Sequence, residues 1–241
     1  MSLFRFSRRA LLKSSALSAI ASLLGPVSGV TRKAFADPQL PRPVVPQGYR
    51  YFTSVEVAFI DAAVARLIPN DDLGPGAREA GVTLFLDRQL AGPYGQARSW
   101  YMRGPWHDGT KQQGYQLKLT PAELYRTAIS AADEYCRKQY GSRDFAQLKP
   151  DEQDEVLRRF ETGKIKLGAV PGKQFFELLH KNTIEGFFAD PLYGGNRNFI
   201  GWKLIGFPGP RYNYYAEIER YGERYPMPTV GLLGRDGTLK G

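Results

Sequence analysis

The sequence is short of the side chains on which most metal and cofactor sites depend. It contains one cysteine, Cys136, and two histidines, His107 and His180, among 241 residues. A single thiol excludes an intrachain disulfide, a four-cysteine iron–sulfur site and a Cys-x-x-Cys-His haem attachment. The two histidines form no His-x-x-x-His or Cys/His grouping, so a classical zinc site lacks ligands. We therefore expect no cofactor or metal in this chain.

Motifs for nucleotide binding and nucleophilic catalysis are also missing. The chain has no Gly-x-Gly-x-x-Gly dinucleotide motif and no Gly-x-Ser-x-Gly elbow. Cys136 falls in the apolar stripe of a predicted helix, where it is interpreted as a small buried hydrophobe. His180 is interpreted as a satisfied structural residue. Asp71 and Asp72 lie among Asn, Gly and Pro, which is typical of a turn. These patterns favour a chain that is not an enzyme by itself.

No apolar run reaches the ~20 residues that a membrane-spanning helix needs. The N-terminus nevertheless has a basic start, a moderately apolar run and a small-x-small site at Ala34 and Ala36, which together are typical of a cleavable export signal. The basic part resembles the twin-arginine consensus, with Leu11 where Phe is usual. Its motif residues are Ser7, Arg8, Arg9, Leu11, Leu12 and Lys13. We predict a twin-arginine signal over residues 1–36 and a periplasmic destination; an ordinary Sec signal is the alternative.

The formal net charge of +9 does not indicate a nucleic-acid partner. Six of the 33 basic residues lie in the predicted signal, which has no acidic residue, and without them 27 basic residues face 24 acidic ones, or +3. That remainder is spread along the chain, whereas a nucleic-acid binder carries a basic patch or stripe. We expect no nucleic-acid binding.

The rest of the chain predicts an all-α fold with one domain over residues 51–241. Residues 37–50 hold four prolines and are predicted to be extended, as a tether or a strap on a partner. Capping boxes at Thr53-x-x-Glu56 and Thr120-Pro121-x-Glu123 predict two helix starts. Helices are also predicted from Ala77 to Leu90, more weakly from Gln96 to Met102, from Pro150 to Thr162, and from Lys173 to Ala189 as the central helix. The Gly-, Pro- and aromatic-rich C-terminal third is predicted to be irregular.

Three motifs in the C-terminal half point to a family. They are Glu185-Gly-Phe, Asp190-Pro-x-Tyr-Gly-Gly-Asn196 and Gly201-Trp-x-x-Ile-Gly-Phe-Pro-Gly209. With Leu67-Ile-Pro69 and Pro75-Gly-Ala-x-Glu-Ala-Gly-Val82 they make residues 51–209 similar to the gluconate 2-dehydrogenase subunit 3 family. The resemblance implies a non-catalytic small (gamma) subunit of a periplasmic flavin-dependent dehydrogenase complex acting on sugars or sugar acids. It would bind a glucose-methanol-choline type flavoprotein that carries FAD and enable its export through the twin-arginine translocase. A membrane-bound cytochrome c subunit with haem c would be a further partner.

The aromatic and glycine-rich tail is the candidate surface for such a partner, because interface cores are rich in aromatic residues and arginine. Packing of the same residues within the chain is the alternative. The candidates are Tyr193, Gly194, Gly195, Asn196, Phe199, Trp202, Phe207, Arg211, Tyr212, Tyr214 and Tyr215.

Two other functions stay open at this point. The chain could be a stand-alone periplasmic enzyme or carbohydrate-binding protein, with aromatic residues around Trp202 as a stacking platform and with Glu185 and Asp190 as an acid pair. It could also be an assembly chaperone that leaves its partner after export.

Overall fold

The computed structural model describes residues 48–107, 109–167, 170–232 and 234. The predicted export signal, including Arg8, Arg9 and the cleavage site at Ala36, lies outside these residues. So does the Pro-rich segment up to residue 47.

The described part of the chain is built almost wholly from helices, which confirms the all-α prediction. Its α-helices are α1 Ser54–Leu67, α2 Val82–Ala91, α3 Pro121–Gln139, α4 Pro150–Glu161, α5 Gly172–Phe188 and α6 Ile200–Ile205. One-turn 3-10 helices occupy Lys111–Gln113, Phe145–Gln147, Pro191–Tyr193, Arg197–Phe199 and Tyr215–Glu217. A small antiparallel pair joins β1 Lys166–Leu167 to β2 Val170–Pro171, with Lys166 opposite Pro171. In these residues no helix is long and apolar enough to cross a bilayer.

Both predicted capping boxes are present. The Thr53 amide donates to Oε2 of Glu56 at 2.8 Å, and the Thr53 hydroxyl accepts from the Glu56 amide at 3.4 Å. Thr120 and Glu123 repeat the arrangement at the start of α3, with Pro121 in the first turn. Each box satisfies amides that a helix start would otherwise leave without partners.

The prediction that the second helix starts at Ala77 is wrong by five residues, because α2 begins at Val82. Residues 77–81 form turns instead, and Gly81 adopts φ +77°. The carbonyl of Ala80 accepts the amide of Arg197 at 2.9 Å, so this carbonyl is bonded to the C-terminal region and not to an amide of α2.

The weaker helix predicted from Gln96 to Met102 does not form; this stretch consists of turns and extended chain. Gly95 lies so close to the end of α2 that a Cβ atom there would be 1.9 Å from the Leu90 carbonyl oxygen. Ala97 then takes φ 50°, which a right-handed helix cannot accommodate.

Helix α5 organises the core, as its sequence predicts, and it contacts α1, α2, α3, α4 and α6. Phe175 of α5 is fully buried and lies 5.7 Å from the ring of Tyr125, 6.2 Å from Phe59 and 6.2 Å from Phe160. These rings come from α3, α1 and α4, so one side chain joins four helices. Aromatic pairs at this spacing add to the stabilisation from apolar burial.

Candidate partner-binding surface

The C-terminal end of α5 is the foundation of the candidate surface. Asp190 follows the helix and is largely buried; its two oxygens accept the amides of Leu192 at 2.9 Å and Leu232 at 2.7 Å. Asn196 is fully buried, donates to the Ala189 carbonyl and accepts the Gly201 amide, both at 2.8 Å. These two side chains attach three separate stretches of the tail to the end of one helix.

Glycines allow the tail to approach α5 at backbone distance. A Cβ atom on Gly195 would lie 2.1 Å from the Gly186 carbonyl oxygen, and one on Gly201 would lie 2.1 Å from the Phe187 carbonyl oxygen. Gly194 adopts φ +99° and Asn196 φ 46°. These left-handed backbone angles are ones that most residues disfavour, and glycine adopts them without a steric penalty.

A small apolar layer, here named the apolar floor, is formed by Trp202 with Phe199 and Phe207. The indole N–H of Trp202 donates to the Phe188 carbonyl at 2.7 Å. Its ring stacks on Phe199 at 5.5 Å and meets the edge of Phe207 at 5.0 Å. Phe199 and Trp202 are buried, whereas Phe207 is exposed. The outer face of this floor is thus partly apolar.

A loop of residues 210–229, here named the tyrosine loop, projects from that floor. Its ends are joined by the Val230 amide, which donates to the Pro208 carbonyl at 3.2 Å, and by Gly209, where a Cβ would lie 1.7 Å from the Val230 carbonyl oxygen. Inside the loop, Arg211 donates to the Pro228 carbonyl and lies over the Tyr225 ring. The ends and the interior are therefore fixed while the outside is free to make contacts.

The tyrosine loop exposes an unusual number of large apolar side chains. Tyr212 is wholly exposed, and Tyr215 and Tyr221 are 79% and 86% exposed. Of fifteen exposed large hydrophobic residues among those described, eleven lie between Leu192 and Leu232. Contiguous exposed apolar surface on a soluble domain usually marks a binding site. The concentration places the best docking surface of the described chain in this segment.

The predicted interface residues fall into three groups by exposure. Gly195, Asn196, Phe199 and Trp202 are buried and support the surface from below. The exposed members are Tyr193, Phe207, Tyr212, Tyr214 and Tyr215, and Gly194 and Arg211 are half-buried.

The tail also contains exposed residues that the sequence motifs did not single out. These are Ile218, Tyr221, Met227 and Leu232. Their only signal in the sequence was their position in a long segment with no helical periodicity, where apolar side chains have no obvious core to join.

The site expected of a stand-alone carbohydrate-binding protein is not assembled. Trp202 is only 6% exposed, so its face is not offered to a sugar. Glu185 accepts a hydrogen bond from the side-chain amide Nδ2 of Asn182 at 2.8 Å, while Asp190 accepts two backbone amides. The two carboxyl groups thus have separate structural partners.

The remaining reactive side chains are held in structural positions. Cys136 is fully buried, and burial raises the pKa of its thiol to about 12, far from that of a nucleophile. His180 stacks on Phe176 at 5.9 Å, and burial lowers its pKa. No group of three or more potential metal ligands occurs among the described residues.

Comparison with known proteins gives one match. The family model for gluconate 2-dehydrogenase subunit 3 matches residues 54–209. No curated protein and no solved structure gives a further match to the chain.

Proposed function

Since the chain belongs to the gluconate 2-dehydrogenase subunit 3 family, we propose that it is the non-catalytic small subunit of a periplasmic flavin-dependent dehydrogenase complex. Its role is to bind and stabilise the FAD-carrying catalytic subunit, a glucose-methanol-choline type flavoprotein. The complex oxidises a CH–OH group of a sugar or sugar acid. A membrane-bound cytochrome c subunit, with haem c, receives the electrons and holds the complex at the membrane.

The tyrosine loop is the observation that carries this proposal. Loops of this length in compact domains are usually functional, and this one is fixed at both ends while Tyr212, Tyr215 and Tyr221 face outwards. Tyrosine gives a large contact area at low conformational cost and is frequent among residues that dominate binding energy. A partner protein is the ligand that fits a surface with several exposed tyrosines.

The export signal supports the same function. A twin-arginine motif at Arg8 and Arg9 directs folded proteins outwards, yet this chain has no cofactor motif that would require folding before export. Export in the folded state is explained if the partner must bind FAD in the cytoplasm. The small subunit then supplies the signal for both chains.

The first experiment isolates the tagged full-length chain from the periplasm of its native host, with the visible spectrum and the co-purifying proteins as readouts. We expect a flavin spectrum and a dehydrogenase that remains with the chain through purification. A colourless solitary chain would contradict the proposal. Recovery of the flavoprotein without the small subunit in the mature enzyme would instead indicate an assembly chaperone.

Variants then test the surface and the signal separately. Tyr212→Ala and Tyr215→Ala should each weaken the complex by roughly 30-fold, as expected of interface residues that dominate binding. Tyr101→Ala is the matched control, because Tyr101 is 82% exposed and lies outside the tail. Arg8→Lys with Arg9→Lys should retain the flavoprotein in the cytoplasm, whereas Arg5→Lys in the same segment should not. Equal binding by all three tyrosine variants would exclude the tyrosine loop as the interface.

A further inference from the structure

Arg88 and Arg197 lie at the turn around Gly194, and Arg50 lies near Arg88; we name these three residues the arginine cluster. A Cβ on Gly194 would lie 2.8 Å from Nη1 of Arg88. A Cβ on Gly81 would lie 3.2 Å from the Gly194 carbonyl oxygen and 3.3 Å from Nη2 of Arg197. Burial lowers the pKa of Arg88, and the nearby positive charge of Arg50 lowers it further. The three guanidinium groups therefore occupy one side of the molecule.

None of these guanidinium groups has a hydrogen bond or ion pair to another side chain within the described ranges. Other arginines do, such as Arg66 with Asp154 at 2.7 Å and Arg143 with Glu152 at 2.9 Å. Two carboxylates of the same region already accept hydrogen bonds. Asp87 accepts three backbone amides, and Asp61 accepts the Thr83 hydroxyl. Asp87 also attracts Arg88 electrostatically, but the three guanidinium groups outnumber these two carboxylates, so part of the positive charge of the cluster is not balanced by them.

The backbone holds each arginine in place. The amide of Arg50 donates to Oδ2 of Asp87 at 2.7 Å, Arg88 follows Asp87 in α2, and the amide of Arg197 donates to the Ala80 carbonyl at 2.9 Å. Fixed attachment points reduce the conformational entropy lost when a ligand binds. The guanidinium group also offers a planar fork that matches a carboxylate with two parallel hydrogen bonds. The arginine cluster therefore has fixed attachment points and carries groups that suit carboxylates.

We propose that the arginine cluster binds a carboxylate-rich segment of the flavoprotein partner and forms the electrostatic part of the interface whose apolar part is the tyrosine loop. This inference rests on the proposed function. Continuity favours a protein ligand: Leu192 and Tyr193, 37% and 48% exposed, directly precede Gly194. An interface with an apolar centre and a charged rim has this composition. Charge complementarity at the rim then orients the flavoprotein and speeds its association.

The test measures association of the full mature chain with the flavoprotein that co-purifies with it, by biolayer interferometry at low and high salt. Arg50→Glu with Arg197→Glu changes two exposed residues and should preserve the fold. We expect association on the order of tenfold weaker at low salt, with a much smaller salt dependence than in the wild-type chain. Arg88→Gln should give a smaller loss in the same direction. Arg98→Glu with Arg103→Glu is the control, since it changes the net charge equally at two exposed arginines outside the cluster.

Each alternative result has a distinct meaning. If the complex forms normally and both double variants change its association equally, the role proposed for the arginine cluster is refuted while the proposed function stands. Absence of any flavoprotein partner would overturn the proposed function itself. Binding of the wild-type chain to phosphatidylglycerol vesicles, lost in Arg50→Glu with Arg197→Glu while the complex is unchanged, would assign the cluster to a membrane surface and refute the proposal.

Discussion

Asp87 is expected to contribute more to stability than any other single polar side chain of α2. Its fully buried carboxylate accepts the amides of Arg50 at 2.7 Å, Tyr51 at 2.8 Å and Phe52 at 2.9 Å. A hydrogen bond to a charged group contributes about 1.5–3 kcal/mol, and a buried donor left without a partner costs about 1–3 kcal/mol. The Phe52 amide is buried, whereas those of Arg50 and Tyr51 can turn to water.

Asp87→Ala should therefore lower the free energy of unfolding by about 3 kcal/mol, or roughly 6–12 °C in Tm for a domain of this size. Asp87→Asn keeps one acceptor oxygen and should lose about half as much. Thermal unfolding followed by far-ultraviolet circular dichroism measures both, with the exposed Asp72→Ala as control. A loss below about 0.5 kcal/mol in Asp87→Ala would refute the reasoning, because it would mean that water accepts hydrogen bonds from all three amides in place of Asp87.

Three further predictions follow from burial and close contact. Cys136, with its pKa raised to about 12, should resist a thiol reagent at neutral pH in the folded chain and react after unfolding in urea. Burial lowers the pKa of His180 in the folded chain, so below about pH 6.5 the unfolded state binds more protons than the folded state. The free energy of unfolding should therefore fall as the pH falls below that value. His180→Gln should make this decline smaller in urea titrations at several pH values. Gly195→Ala places a Cβ 2.1 Å from a backbone oxygen and should cost more than about 2 kcal/mol, whereas Gly222→Ala, at positive φ in open space, should cost about 1 kcal/mol in the same assay.

Features that depend on neighbouring residues could be predicted from the sequence. The capping boxes at Thr53 and Thr120 involve partners three residues away. The helix predicted from Pro150 to Thr162 differs from α4 by one residue, since its acidic start and basic end lie within one turn of the termini. Local hydrogen bonds and the helix dipole suffice for these elements, and no knowledge of the fold is needed.

Features that depend on distant contacts could not be predicted. The start of α2 is delayed because the Ala80 carbonyl bonds to Arg197, which is far away in the sequence. The segment after Gly95 cannot continue as a helix because the Gly95 carbonyl accepts the amide of Ala122 at 3.0 Å, at the start of α3. Composition alone also cannot distinguish which aromatic residues of the tail are buried. Trp202 is buried because the Phe188 carbonyl at the end of α5 gives its indole N–H a partner.

The family match ends at residue 209, directly before the tyrosine loop. Residues 54–209 include the side chains and glycines that attach the tail to α5, and the tyrosine loop begins at residue 210. Asp190 and Gly209 lie within the match, and both hold the chain that follows the loop. Asp190 accepts the Leu232 amide, and Gly209 lies directly against the Val230 carbonyl. Because these anchors use buried and backbone contacts, exposed residues such as Tyr212 can change with little effect on stability. The same fold can therefore carry different loops beyond Gly209, and under the proposed function the exposed side chains of the loop contribute to the choice of partner.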